Sequence, residues 1–240
     1  MSDLLTISGV SKRFGGIQAL DDVGLRVRAG AIAGLIGPNG AGKTTTLKCL
    51  LGFIHPDAGS VHFFNGQELG PTSKQQIGYL PERPYLYEHM TVEGFLLLHW
   101  KLLGKKAADF SAACEQVLQQ VNLSHAKTKK MRSFSKGMLQ RIGLAQAILG
   151  EPEFLILDEP MSGLDPDGRL MVKDIIRAQQ QRGATILFSS HLLQDMDELC
   201  SHLLVIDKGH LVFSGPLAQF RREHPNLEEA FRGYQRGRDQ

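Results

Sequence analysis

The stretch Gly37-Pro38-Asn39-Gly40-Ala41-Gly42-Lys43-Thr44 constrains this chain more than any other. It fills every fixed position of the phosphate-binding pattern G-x-x-x-x-G-K-[ST]. Glycines let successive backbone N–H groups converge on phosphate oxygens with no Cβ in the way. In this pattern the Lys43 ammonium reaches the β and γ phosphates and the Thr44 hydroxyl ligates Mg²⁺; Thr45 extends the nucleotide-contacting run. The flanks fit as well. Ala31 to Ile36 reads as a buried strand, and Thr44 to Leu51 reads as a helix whose positive end faces an anion. A strand, this loop and a helix in that order point to a nucleotide-binding α/β core.

Further apolar runs extend that core. Residues 3–30 alternate as strands around Gly15-Gly16, and Gly59 to Gly66 reads as a strand entering an Asn65-Gly66 turn. Ile77 to Leu80 is a short β run stopped by Pro81. From Thr91 to about Gly150 the pattern is helical, clearest over Glu115–Val121 and Gly137–Leu149, and reads as an inserted subdomain. Phe95, Leu96 and Trp100 are expected in its core. Strand Phe154–Leu157, helix Gly168–Arg182, strand Thr185–Phe188 and helix Leu192–Cys200 follow. A hairpin then turns at Lys208-Gly209, and a polar tail from Pro216 holds one predicted helix, Leu227–Tyr234. Alternating strands and helices imply a mostly parallel sheet with helices on both faces.

Composition narrows the function classes. Lys+Arg 27 against Asp+Glu 25 leaves a net charge of +2, which is no electrostatic footprint for nucleic acid. The three cysteines (Cys49, Cys114, Cys200) lack metal-ligand spacing and suit a reducing cytosol and buried apolar roles. No apolar run approaches the ~18 residues of a membrane span, and no basic segment followed by an apolar one opens the sequence. The expectation is a soluble chain that reaches a membrane through a partner.

Two further segments carry chemistry. Asp158-Glu159 ends the apolar strand from Phe154, where open α/β sheets place ligands. One carboxylate can hold Mg²⁺ through its water shell while the next faces the attacking water. Ser133-Phe134-Ser135-Lys136-Gly137-Met138-Leu139-Gln140-Arg141 opens a helix behind a Ser cap, a second ready anion site. That segment resembles the signature motif of ATP-binding cassette (ABC) ATPases, usually Leu-Ser-Gly-Gly-Gln, at the expected short distance before Asp158-Glu159. Ser162-Gly163-Leu164-Asp165 resembles the family's D-loop, His191 its switch histidine, and Phe14 its aromatic A-loop that stacks on adenine. The resemblance covers residues 3–215. Read without it, His191 is a capping or partly buried histidine and Phe14 an ordinary hydrophobic at a sheet edge.

The chain departs from the family pattern at named positions. Lys136 replaces the first signature Gly, Met138 the Gln, and Glu82 the Gln of the Q-loop; Phe14 stands for the commoner Tyr and Met161 for a Thr. The Ser-Lys-Gly-Met and Leu-Pro-Glu forms resemble the branch serving multidrug, sodium-extrusion and antibiotic-resistance exporters. Glu82 near Mg²⁺ would add a charge where an amide is neutral.

The resemblance implies a head-to-tail dimer with two ATP molecules. Each would lie between Gly37–Thr44 of one copy and Ser135–Met138 of the other, Gly137 included. Glu159 would act as general base and His191 would contact the γ-phosphate. Asp158, Thr44 and Glu82 would serve Mg²⁺, and Asp165 would link the two sites. It further implies one ABC domain over residues 1–240: a core with β subdomain (1–90 and 151–215), a helical subdomain (91–150) and a tail (216–240). Separate membrane-spanning subunits would be the partners, with Pro84-Tyr85-Leu86-Tyr87-Glu88 as the contact loop and the inner face of the cell membrane as the location. Two alternatives stand beside this reading: a soluble ABC ATPase acting on nucleic acid or ribosomes, and a regulator that binds ATP without turnover. The cluster Lys127, Lys129, Lys130 and Arg132 is expected to be a solvated face, and the eight histidines other than His191 to lie at the surface.

Overall fold

In the computed structural model, which describes residues 3–64 and 66–237, the chain forms two units, Met1–Leu69 with Thr185–Gln240 and Gly70–Ala184. The first unit opens on a hairpin of β1 (Asp3–Phe14) and β2 (Ile17–Arg28), joined at Gly15-Gly16. Its register shifts several times through bulges, which increase the local twist. Val23, Leu25 and Val27 on β2 are buried in alternation with exposed neighbours, the mark of a sheet with one wet face. Next come β3 (Ile32–Ile36), with all five residues buried, α1 (Lys43–Leu50) and β4 (Ala58–Phe63). The antiparallel sheet runs β2-β1-β4. Of the turn expected after β4, Asn65 lies outside the described residues. Phe63 and Gln67 flank it and exchange two backbone hydrogen bonds of 2.7 Å. The continuation is that single bridge rather than a second strand.

The second unit holds α2 (Pro71–Gln75), β5 (Ile77–Leu80), α3 (Val92–Leu102), α4 (Phe110–Gln120), α5 (Lys136–Ile148), β6 (Phe154–Asp158) and α6 (Pro166–Gln181). β5 and β6 pair in parallel, Ile77 with Phe154 through Leu80 with Leu157. The helices between them follow from spacing. On α4, Phe110, Cys114, Val117 and Leu118 are buried at i, i+4, i+7 and i+8, one face of a 3.6-residue period. On α3, Phe95, Leu96 and Trp100 are buried as expected, and Val92 with them, behind a Thr91 cap that accepts from Gly94 N–H at 3.1 Å. Lys127 departs from the solvated face predicted for it: its ammonium reaches Glu93 on α3 (3.5 Å) and Glu115 on α4 (3.7 Å). His99 departs from the surface expected for it, as do His62 and His202: all three are half-buried. Burial lowers the pKa of His99, and burial and then the Arg28 charge lower that of His202, because charging an imidazole away from water is unfavourable.

The chain returns to the first unit with β7 (Thr185–Ser189), α7 (Leu193–Leu199), β8 (His202–Asp207), β9 (His210–Pro216), α8 (Leu217–Arg221) and α9 (Leu227–Arg236). Here the strand order is β7-β3-β8-β9, with β3 parallel to β7 and β8, and β9 antiparallel at the edge. β3 is a continuous buried run, β7 is buried throughout with an apolar centre from Ile186 to Phe188, and β8 is buried from Leu203 to Ile206, as parallel strands covered on both faces must be. The α/β class therefore stands, with parallel strands, an antiparallel sheet and a helical segment between β5 and β6. Helix α8 was not anticipated, since five residues after Pro216 show no period.

Candidate functional site

The phosphate loop leaves the carboxyl end of β3, where Leu35 is in register with Ser189 of the parallel β7. Residues 37–44 and His191 therefore depart from the same edge of adjacent strands, the place where α/β sheets bind ligands. A Cβ on Gly37 would collide with the Ile206 carbonyl oxygen, so the strand can turn there only without a side chain. Gly42 has φ +109°, and a Cβ would stand 2.8 Å from the Ala19 carbonyl oxygen; only glycine adopts this conformation without strain. Ala41 is the loop's one buried side chain, and its N–H donates to Pro38 O at 3.1 Å. Pro38, Asn39 and Gly40 are exposed. Lys43 Nζ donates to the carbonyls of Gly37 (2.7 Å) and Pro38 (3.2 Å), which holds the ammonium folded back over the loop. Thr44 and Thr45 are half-buried in the first turn of α1, which has neither a side-chain cap nor an acidic residue to occupy its amides.

Supports beneath the loop were not legible in the sequence. Gly209 N–H donates to Ala41 O and Asp21 N–H to Gly209 O, both at 2.9 Å. Lys208 and Gly209 both have positive φ, the geometry of a tight hairpin turn. The Lys208-Gly209 signal predicted the hairpin but not its role under the loop. His191 is exposed and bracketed by Ser190, whose hydroxyl accepts from Leu192 N–H at 3.0 Å. Phe14 is the last residue of β1, 45% exposed at the hairpin tip.

In the second unit Leu80 and Leu157 are in register, so Glu82 and Glu159 each follow by two residues from the same edge of a parallel pair. Glu82 is exposed. Asp158 is 2% exposed at the end of β6. Burial, and then the Asp158 charge, push the Tyr79 phenol up to about 12, so Tyr79 keeps its proton at any physiological pH. Glu159 has φ +49°, a left-handed conformation that is costly outside glycine. Its carbonyl accepts from Ser162 N–H at 3.0 Å, which closes the turn that imposes this backbone.

Ser135 caps α5 by accepting from Met138 N–H at 3.3 Å, as expected for the segment. Gly137 would carry a Cβ at ordinary contact distance from Leu164. Asp165 does local work: it caps α6 by accepting from Gly168 N–H (3.0 Å) and pairs with Arg141 of α5 (3.4 Å). Gln140 adds a bond from its side-chain amide to Pro160 O, and the Lys136 stem lies over Gly163. Residues 135–141 and 160–165 are thus brought together, a pairing that no local sequence signal announces.

Comparison with known proteins decides the family. The family model described as ABC transporter matches residues 20–162. The chain belongs to the ABC transporter family. A solved ATP-binding subunit of an ABC transporter superposes with a TM-score of 0.90 at 32% identity, over 97% of this chain and 99% of that one. An uncharacterized ABC transporter ATP-binding protein of Nostoc sp. is 46% identical over 204 residues, taking in 84% of this chain and 61% of the relative. A Nod factor export ATP-binding protein of Burkholderia lata is 37% identical over 210 residues, 86% of this chain and 68% of that protein. The chain thus spans about three fifths of the Nostoc relative's length. Among the described residues, no helix is long and apolar enough to cross a membrane.

Proposed function

We propose that this ABC-family chain binds and hydrolyses ATP in a head-to-tail dimer and drives transport, in the direction of export, through separate membrane-spanning subunits. One observation carries the proposal: a family member keeps both a phosphate loop with Lys43 folded over it and a carboxylate, Glu159, directly after the buried Asp158. A regulator that only holds nucleotide has no need of the second. In this reading residues 1–240 form one ABC domain. The core with β subdomain is 1–90 and 151–215, the signature subdomain 91–150 and the tail 216–240.

Backbone N–H groups of the loop and the Lys43 ammonium hold the β and γ phosphates, and Phe14 stacks on adenine. The hydroxyl of Thr44 and the carboxylate of Asp158 are hard oxygen donors of the kind Mg²⁺ takes, with Glu82 as a further carboxylate. When bound, the ion neutralises charge on the phosphate oxygens. Glu159 orients the attacking water and accepts its proton, and His191 donates toward the γ-phosphate. The amides behind Ser135, Gly137 and Met138 of a second copy close over the γ-phosphate, and Asp165 relays between the two sites. Little covalent chemistry is needed; positioned donors and excluded water stabilise a loose transition state.

Export is supported by the Ser135-Lys136-Gly137-Met138 form and by likeness to the Nod factor export protein. The spanning subunits would hold the chain at the inner face of the cell membrane. Tyr85, 93% exposed, and Tyr87, 54% exposed, give them an aromatic contact surface just past Glu82. A phosphate-release assay on the purified chain with ATP and Mg²⁺ tests the enzymatic core. Sustained release that stops on chelation of the metal is expected; nucleotide binding with no release would identify a binding-only protein.

A further inference from the structure

The tip of the β1–β2 hairpin extends beyond the sheet that supports it, since pairing of β1 with β4 ends at Ser11 opposite Ala58. Past that point Lys12, Arg13 and Phe14 belong to a two-stranded ribbon, and such a ribbon is marginal in water. A platform for a purine cannot be loose, because the base and the phosphates of one nucleotide are a fixed distance apart.

Asp57 supplies the missing restraint. It lies in the loop after α1, whose C-terminal end is closed by Phe53 and Ile54 N–H groups donating to Lys48 O at 2.9 and 3.2 Å. Asp57 grips the ribbon three times. Its backbone N–H donates to Ser11 O at 2.8 Å, one carboxylate oxygen accepts from Arg13 N–H at 2.7 Å, and the other accepts from Lys12 Nζ at 2.6 Å. The Lys12 side-chain bond, and then the Arg13 amide, hold the Asp57 carboxyl below its ordinary range. The same Lys12 ammonium stands over the Phe14 ring, 5.7 Å from its centroid, within cation–π reach. Arg13 Nε adds a bond to Gln18 across the hairpin at 2.9 Å. The ring itself stays 45% exposed and available to a base.

We propose that Asp57 and Lys12 form a latch that positions Phe14 as the adenine platform, tying the hairpin tip to the helix that carries the phosphate loop. The proposal rests on the assignment of Phe14 to adenine. In this role both are positioning residues, which act through Phe14 rather than on the nucleotide. An exposed ion pair contributes little to stability, so the effect falls on base recognition rather than on folding.

The test uses the intact chain with two probes, ATP and inorganic tripolyphosphate, which has the phosphates without the base. Asp57→Asn keeps the shape and loses the charge; Lys12→Met keeps the stem. Each should raise KM for ATP about threefold to tenfold, with kcat at saturating ATP held within about twofold. Inhibition by tripolyphosphate should match the parent, and neither substitution should add to Phe14→Ala in a double variant. If Phe14→Ala raises KM while Asp57→Asn and Lys12→Met leave it unchanged, the latch is wrong and the platform stands. Equal weakening of ATP and tripolyphosphate would also overturn the latch, since the defect would then lie in the phosphate loop. If Phe14→Ala itself leaves KM unmoved, the platform assignment fails and the latch falls with it.

Discussion

Glu159→Gln is expected to lower ATP turnover by about a hundredfold or more while ATP affinity stays within about threefold of the parent. An amide fills the same volume and can still hold a water, but it cannot accept that water's proton. The surroundings make the substitution clean. Glu159 is fixed by backbone geometry at φ +49°, with Ser162 N–H closing the turn at 3.0 Å. Gln tolerates that region about as well as Glu, so the fold should not respond. Steady-state phosphate release together with equilibrium binding of ATP separates the two effects. Parent-rate hydrolysis by the variant would remove Glu159 as the base.

Lys43→Ala should weaken ATP binding by about tenfold to a hundredfold, the scale of losing charge-assisted hydrogen bonds. In the structure the ammonium bonds to the carbonyls of Gly37 and Pro38. The Pro38 oxygen is exposed and the Gly37 oxygen only partly buried, so water can replace the lost donor and thermal stability should change little. Phosphate oxygens have no such substitute. Lys43→Arg should not restore full affinity, because a planar guanidinium does not fit where a compact ammonium points along a narrow loop. Equilibrium titration with ATP measures both variants, and unchanged affinity in Lys43→Ala would count against the phosphate loop as the nucleotide grip.

The sequence was most legible where chemistry or burial leaves few choices. The glycines at 37 and 42 are demanded by close approach and positive φ, and the buried run of β3 and the buried stretches Phe154–Leu157 and Ile186–Phe188 of β6 and β7 carry no polar side chain. The periodic face of α4 and the cap Ser135 were likewise readable from spacing and residue type, whereas the capping role of Asp165 was not. What escaped was tertiary. Nothing local says that the Lys208-Gly209 turn carries the loop through Ala41, that Arg141 meets Asp165, or that Lys127 joins α3 to α4. His99 was misplaced at the surface because a lone histidine on a helix carries no sign of how deeply its neighbours bury it. The left-handed backbone of Glu159 is likewise invisible in a Leu-Asp-Glu-Pro string.

At the centre of the account is a pocket completed by a second copy, with the amides behind Ser135 closing on a nucleotide gripped by another chain's Lys43. The most direct measurement is the solution mass of Glu159→Gln, by light scattering or sedimentation, with and without ATP and Mg²⁺. A shift to twice the chain's mass with nucleotide, reversed when Ser135→Arg is added, is the predicted result. A Glu159→Gln protein that is saturated with ATP and still has the mass of one chain would contradict it.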